Sequence, residues 1–115
     1  MFIVVILLAA CARDIGAVQK SVLGGDPAAG RQAILHYGCG SCHTINGVPG
    51  ADALVGPPLN NFAQRHYIAG NLPNTADNLI FWIQFPQRVE PGTAMPDMNV
   101  AEEDARNIAA YLYSQ

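Results

Sequence analysis

Two cysteines three residues apart, followed at once by a histidine, constrain this chain more than any other feature: Cys39-Gly40-Ser41-Cys42-His43. Sulfur and imidazole packed this closely must face a common object. A structural zinc ion would take Cys39, Cys42 and His43 with His36, but such sites draw a second ligand pair from further along. The chain has three cysteines, and the third is Cys11, so no second cysteine pair exists. A thioredoxin-like dithiol would need strands in a βαβ setting, and none is read here. A disulfide between the two is sterically conceivable.

The remaining reading is covalent haem attachment, for which Cys-x-x-Cys-His is the known pattern. Two thiols at this spacing on a turn can each add to one vinyl group along the same porphyrin edge. The adjoining His43 then lies beneath the ring with its imidazole aimed at the iron. The expectation is one haem c, held by thioethers at Cys39 and Cys42, with His43 as an axial ligand.

Three zones follow along the chain. Residues 1–10 (MFIVVILLAA) are uncharged and almost purely apolar. As a helix they would rise about 15 Å, half of a bilayer's hydrocarbon core, so they suit the h-region of an export signal and not a span. No Lys or Arg precedes Arg13, so the expectation is either a start of translation upstream or a trimmed segment. Leu8-Ala9-Ala10-Cys11 resembles a bacterial lipobox, in which the cysteine is acylated; an ordinary signal with an incidental cysteine is the plainer reading. Residues 11–24 form a tether that could reach roughly 45–50 Å when extended. Residues 25–115 are the folded domain. The formal charge is −3 with a single lysine, Lys20, and no basic run, which argues against nucleic acid.

Within the domain three helices are expected. The first opens at Asp26-Pro27, with Asp as N-cap and Pro at the first helical position, and stops at Gly38. The second covers about Thr75 to Phe85, capped by Thr75 or Asn74, with Leu79, Trp82 and Ile83 on one face and Pro86 as terminator. The third covers about Ala101 to Tyr113, with Ile108, Tyr111 and Leu112 on one face and acids in its first turn. Thr44 to Asn74 is rich in Gly and Pro and reads as loop, not strand. So long a loop suits a chain that wraps a large flat ligand.

A second axial ligand must come from elsewhere, and the residues offer Met95, Met98, His36 and His66. A thioether favours Fe(II) and raises the potential, as an electron carrier requires. Met95 and Met98 lie in a Pro/Gly-rich loop, away from any helical stripe, and nothing in the spacing separates them. His66 reads as a solvated residue and His36 as a structural one.

At this point residues 25–115 resemble a class I cytochrome c, with the shared features in the family's order. Gly25-Asp26, Gly30 and Ile34 are similar to its first helix, where a glycine admits the last helix, here Ile108 with Tyr111 and Leu112. Gly56-Pro57-Pro58-Leu59 resembles the family's Gly-Pro-x-Leu, which implies that the Pro57 carbonyl accepts from the free imidazole N–H of His43. Arg65 matches an arginine that pairs with a haem propionate, though a plain surface role serves nearly as well. Leu79 to Pro86 is similar to the haem-lining helix, with Trp82 toward the ring. Pro91-Gly92-Thr93-Ala94-Met95 resembles the ligand loop, which implies Met95 as the second ligand and Met98 as packing at the haem edge. The lysine ring of mitochondrial members is absent. Ala101 stands where relatives carry a capping Thr, leaving Asn99 to cap.

The resemblance implies an all-α fold of three to four helices wrapped around one haem. It implies single-electron transfer between redox partners of a respiratory chain, with Leu59, Trp82, Ile83 and Met98 around the ring. No enzyme activity and no small-molecule substrate are expected. The rival readings are a dedicated electron-entry subunit of a membrane oxidase or periplasmic dehydrogenase and, further off, a haem sensor or peroxidase. The expected place is the periplasm or the outer face of the cell membrane, anchored through Cys11.

Overall fold

The computed structural model describes residue 22 and residues 24–115. The expected export segment, Cys11 and most of the tether lie outside the described residues. Val22 packs against the core, and its carbonyl accepts from the Gly25 N–H at 3.1 Å.

Helix α1 runs Pro27–Tyr37, with the ends read from the sequence. Asp26 is extended, and its carboxylate accepts from the Ala28 and Ala29 N–H groups at 2.9 and 3.4 Å. These are donors a first turn leaves orphaned. Gly38 ends the helix at φ +72°, a conformation that suits glycine, and turns the chain straight into a 3-10 turn at Cys39–Ser41. Helix α2 runs Ala76–Gln84, with Thr75 as its cap, accepting from the Asn78 N–H at 3.2 Å. Pro86 ends it and also opens a four-residue helix, α3, Pro86–Val89, which the sequence reading treated only as a stop. A proline forfeits no bond at a first helical position, so one residue serves both ends.

Helix α4 runs Glu102–Ser114. Asn99 does not cap it, contrary to expectation. The N-cap is Ala101, which bonds nothing through its side chain, and Asn99 sits two residues earlier at φ +54°. Glu102, Glu103 and Asp104 fill the first turn and favour the helix dipole. Glu102 also meets Arg106 at 2.9 Å, an exposed pair that contributes little.

The core forms where α1 crosses α4. A Cβ on Gly30 would overlap the Asn107 carbonyl, and one on Gly25 would lie 2.7 Å from the Ala110 Cβ. Glycine therefore sets how closely the helices approach. The Asn107 side chain, buried there, accepts from the Asp26 N–H at 2.9 Å, tying the start of one helix to the middle of the other. Ile34, Ile108, Ala109 and Leu112 belong to the same buried cluster, which continues into Leu79, Ile80 and Ile83 of α2.

The segment from Thr44 to Asn74 corrects the expectation of pure loop. Thr44 bridges Asp52, Phe62–Gln64 forms a 3-10 turn, and β1 (Tyr67–Ile68) pairs antiparallel with β2 (Leu72–Pro73) through a turn at Ala69-Gly70. Two-residue strands, one holding a proline, leave no alternation for a sequence to display. Buried Asn74 fastens this segment. Its amide donates to the Phe62 and Arg65 carbonyls at 2.9 and 3.0 Å, and its Oδ1 accepts from the Tyr113 hydroxyl at 2.7 Å. Burial pushes the Tyr113 phenol up to about 12.

Candidate functional site

The turn after α1 places the attachment motif on one wall of a cleft. The Cys42 and His43 N–H groups both bond the Cys39 carbonyl, at 3.2 and 3.1 Å, so the five residues coil tightly. Gly40 must be glycine, because a Cβ there would come within 2.8 Å of the Ala51 Cβ. Cys39 and Cys42 are free thiols, and burial pushes the Cys39 thiol up. Among the described residues no group of three His, Cys, Asp or Glu side chains could hold a metal ion alone, so the zinc reading fails too.

His43 is fixed from behind by the Gly56-Pro57 segment. The Gly56 N–H bonds the Cys42 carbonyl at 2.7 Å, laying its backbone against the imidazole. A Cβ on Gly56 would collide with the ring. His43 Nδ1 lies 2.7 Å from the Pro57 carbonyl oxygen. A carbonyl can only accept, so Nδ1 carries the proton and Nε2 keeps a free lone pair.

The cleft is walled by Tyr37, Cys39, His43, Leu59, Phe62, Leu79, Trp82, Ile83, Met95 and Met98, together with Ile34, Ile45, Val100, Ile108 and Leu112. It spans about 580 Å³ counting its open side. Nearly every wall is aliphatic or aromatic; the heteroatoms are those of an imidazole, two thioethers, a thiol, a phenol and an indole. Such a lining fits a flat apolar macrocycle whose metal takes nitrogen and sulfur. The Tyr37 phenol is turned onto Asp104 at 2.7 Å, a hydrogen bond that raises its pKa.

Of the residues read from the sequence, Leu59, Trp82, Ile83, Met95 and Met98 all line this cleft. Met98 remains 41% exposed, as suits the rim. Cys42 precedes His43 in the chain and is not itself a wall residue. Arg65 is not a wall residue: its guanidinium bonds the Pro58 carbonyl and lies 5.1 Å from the ring centre of Phe62, which is one. His36 and His66 are both exposed and line nothing here, and the His36 ring meets that of Tyr37 edge-on with centroids 5.0 Å apart. Sequence reasoning missed the parts played by Gly40, Gly56, Tyr37 and Gln87. The glycines had a signal, since Gly40 lies inside the attachment motif and Gly56 opens Gly56-Pro57-Pro58-Leu59. Gln87 had none.

The comparisons agree with this geometry. The Cytochrome c family model matches residues 27–115. A cytochrome c2 of Rhodoblastus acidophilus is 39% identical over 101 residues, covering 76% of this chain and 91% of that protein. A cytochrome c oxidase subunit 2 of Alkalihalophilus pseudofirmus is 40% identical over 86 residues, 74% of this chain, and one from Bacillus sp. strain PS3 is 32% identical over 100 residues, 84% of this chain. The matched part is only 24% and 28% of those two subunits. A cleft of this lining behind a Cys-x-x-Cys-His turn, matched along the whole described helical domain, makes the chain a member of the cytochrome c family, which carries one covalent haem c.

Proposed function

We propose that this protein is a single-electron carrier of a bacterial respiratory chain, with His43 and Met95 as the axial ligands of its haem iron. The observation that carries the reading is the 2.7 Å bond from His43 Nδ1–H to the Pro57 carbonyl, which leaves Nε2 with its lone pair on a residue that lines the same cleft as Met95. Bound there, the haem supplies a one-electron Fe(II)/Fe(III) couple. The chain's own residues do the rest. Pro57 holds the His43 tautomer and makes the imidazole a better donor. The Met95 thioether favours the reduced state. Leu59, Trp82, Ile83 and Met98 exclude water, which keeps the cost of a charge change low. Arg65, stacked on Phe62, is assigned to a haem propionate.

Both axial positions are then filled, which leaves no place for a substrate and separates this reading from a sensor or peroxidase. Carbon monoxide tests it: the reduced, haem-loaded protein should bind CO negligibly at rest. Tight binding would overturn the carrier reading.

A second reading has specific support. The likeness to a quarter of two oxidase subunits supports a fixed electron-entry subunit as the alternative to a mobile carrier. Isolation in mild detergent separates them, since a stoichiometric oxidase or dehydrogenase partner means subunit and a lone small protein means carrier. We place the domain outside the cytoplasm, in the periplasm or at the outer face of the membrane, tethered by residues 11–24 to an acylated Cys11. Among the described residues no helix is long and apolar enough to cross a membrane. Metabolic labelling with a fatty acid, lost in Cys11→Ser, would bear this out; an unlabelled wild type would refute it.

A further inference from the structure

The loop that carries Met95 has little of its own to hold it. Between Pro91 and Asn99 no regular element forms, and Pro91, Gly92, Ala94 and Pro96 are exposed. Within the loop, the Thr93 N–H bonds the Glu90 carbonyl at 3.0 Å. One side chain supplies most of the rest. The Gln87 amide nitrogen donates to the Thr93 carbonyl at 2.8 Å and to the Met95 carbonyl at 2.9 Å. Its amide oxygen accepts from the Gly92 N–H at 3.0 Å. Its own backbone N–H reaches the Asp97 carboxylate at 3.3 Å. A single amide thus uses both donors and its acceptor on three backbone groups, and its main chain meets the loop again beyond Met95. Gln87 is itself held by α3, whose first residue, Pro86, is among the most deeply buried side chains of the protein.

We infer that Gln87 is a positioning residue for the Met95 thioether, fixing the backbone on either side of it so that the sulfur is presented to the cleft and withheld from solvent. The inference rests on Met95 being the second axial ligand. Its chemistry requires an amide: the two carbonyls need donors, the Gly92 N–H needs an acceptor, and only Asn or Gln offers both from one planar group. Asn is one methylene too short for the same span.

The test is displacement of the sulfur by imidazole in the ferric, haem-loaded protein, read from the far-red charge-transfer band, beside the midpoint potential. Gln87→Leu keeps the bulk and removes all three side-chain bonds. Gln87→Glu keeps the acceptor for Gly92 and, at neutral pH, loses both donations. Losing two hydrogen bonds of ordinary net strength in Gln87→Glu, or three in Gln87→Leu, should raise apparent imidazole affinity about tenfold or more. In the Met95→Ala background the same Gln87 substitutions should change imidazole affinity by less than about twofold, since the coupling is to that sulfur alone. If both Gln87 variants lower the melting temperature but leave imidazole affinity, band and potential as in wild type, Gln87 is merely structural and the inference is wrong. If Met95→Ala itself retains the band, the ligand assignment fails first, and the two failures are told apart.

Discussion

His43 and Met95 stand in walls of one cleft, yet the chain holds them by different means. The His43 wall is made by close contact. A coiled turn, the Gly56-Pro57 backbone pressed on the imidazole and a 2.7 Å bond to its Nδ1 leave the ring no freedom. The Met95 wall is made by hydrogen bonds at longer reach, from the Gln87 amide to a stretch of exposed backbone. Contact of the first kind is all-or-none, because packed atoms do not yield in small steps. Hydrogen-bonded loops open at modest cost, since each bond contributes only about 0.5–1.5 kcal/mol net. The difference teaches where such a site can be tuned: on the methionine side.

Glycine substitutions break the comparison most sharply. Gly56→Ala should destabilise the protein by about 3 kcal/mol or more, as overpacking against a fixed ring does, and should impair haem loading. Denaturant unfolding and the yield of holoprotein measure both. Next in size, Tyr113→Phe removes a buried partner of Asn74, and its expected cost is about 1–2 kcal/mol. The native phenol, raised to about 12, favours the fold while it stays protonated. That contribution is whole below pH of about 10, the ordinary tyrosine value, and drains away as pH rises through the folded value. The gap between wild type and Phe should therefore narrow in alkali. Gly92→Ala, on the methionine side, should cost only about 1 kcal/mol, because the penalty there is conformational. Gly92 lies at φ +84°, but a Cβ would meet nothing within 4 Å. A Gly92 variant as damaged as the Gly56 variant would erase the contrast drawn between the walls.

The smallest effect concerns salt. Residues 40–63 carry one charged side chain, Asp52, and residues 91–101 carry one, Asp97, so the segments flanking the cleft are nearly neutral. Electron exchange with a partner should change by less than about threefold between low and physiological salt, as measured by stopped-flow absorbance. A steep dependence would mean that charges elsewhere steer docking.

What could be read from the sequence was local. Asp26-Pro27 and Gly38 mark the ends of α1 because capping acts within four residues. The crossing of α1 and α4 at Gly30 and Ile108 was foreseen only through the resemblance to the family. The attachment motif was legible for the same reason, as five consecutive residues. The misses are relations between distant positions. Asn99 looked like a cap for α4, but the backbone holds it at positive φ, two residues before the cap. The paired strands β1 and β2 depend on Asn74 being drawn in by Tyr113, 39 positions away. Gln87 reads as one more polar residue after a proline, and only the fold brings it onto the Met95 loop. The Pro57 carbonyl was foreseen through resemblance, whereas the need for glycine at position 56 emerged from the ring lying against it.

One measurement goes to the centre of the account: the intact mass of the protein recovered from cells competent for haem attachment, after denaturation and acid extraction. The wild type should keep the added mass of a single haem, and Cys39→Ser/Cys42→Ser should be bare polypeptide. A wild-type chain that comes through with no added macrocycle, from cells that load other c-type cytochromes, would contradict it.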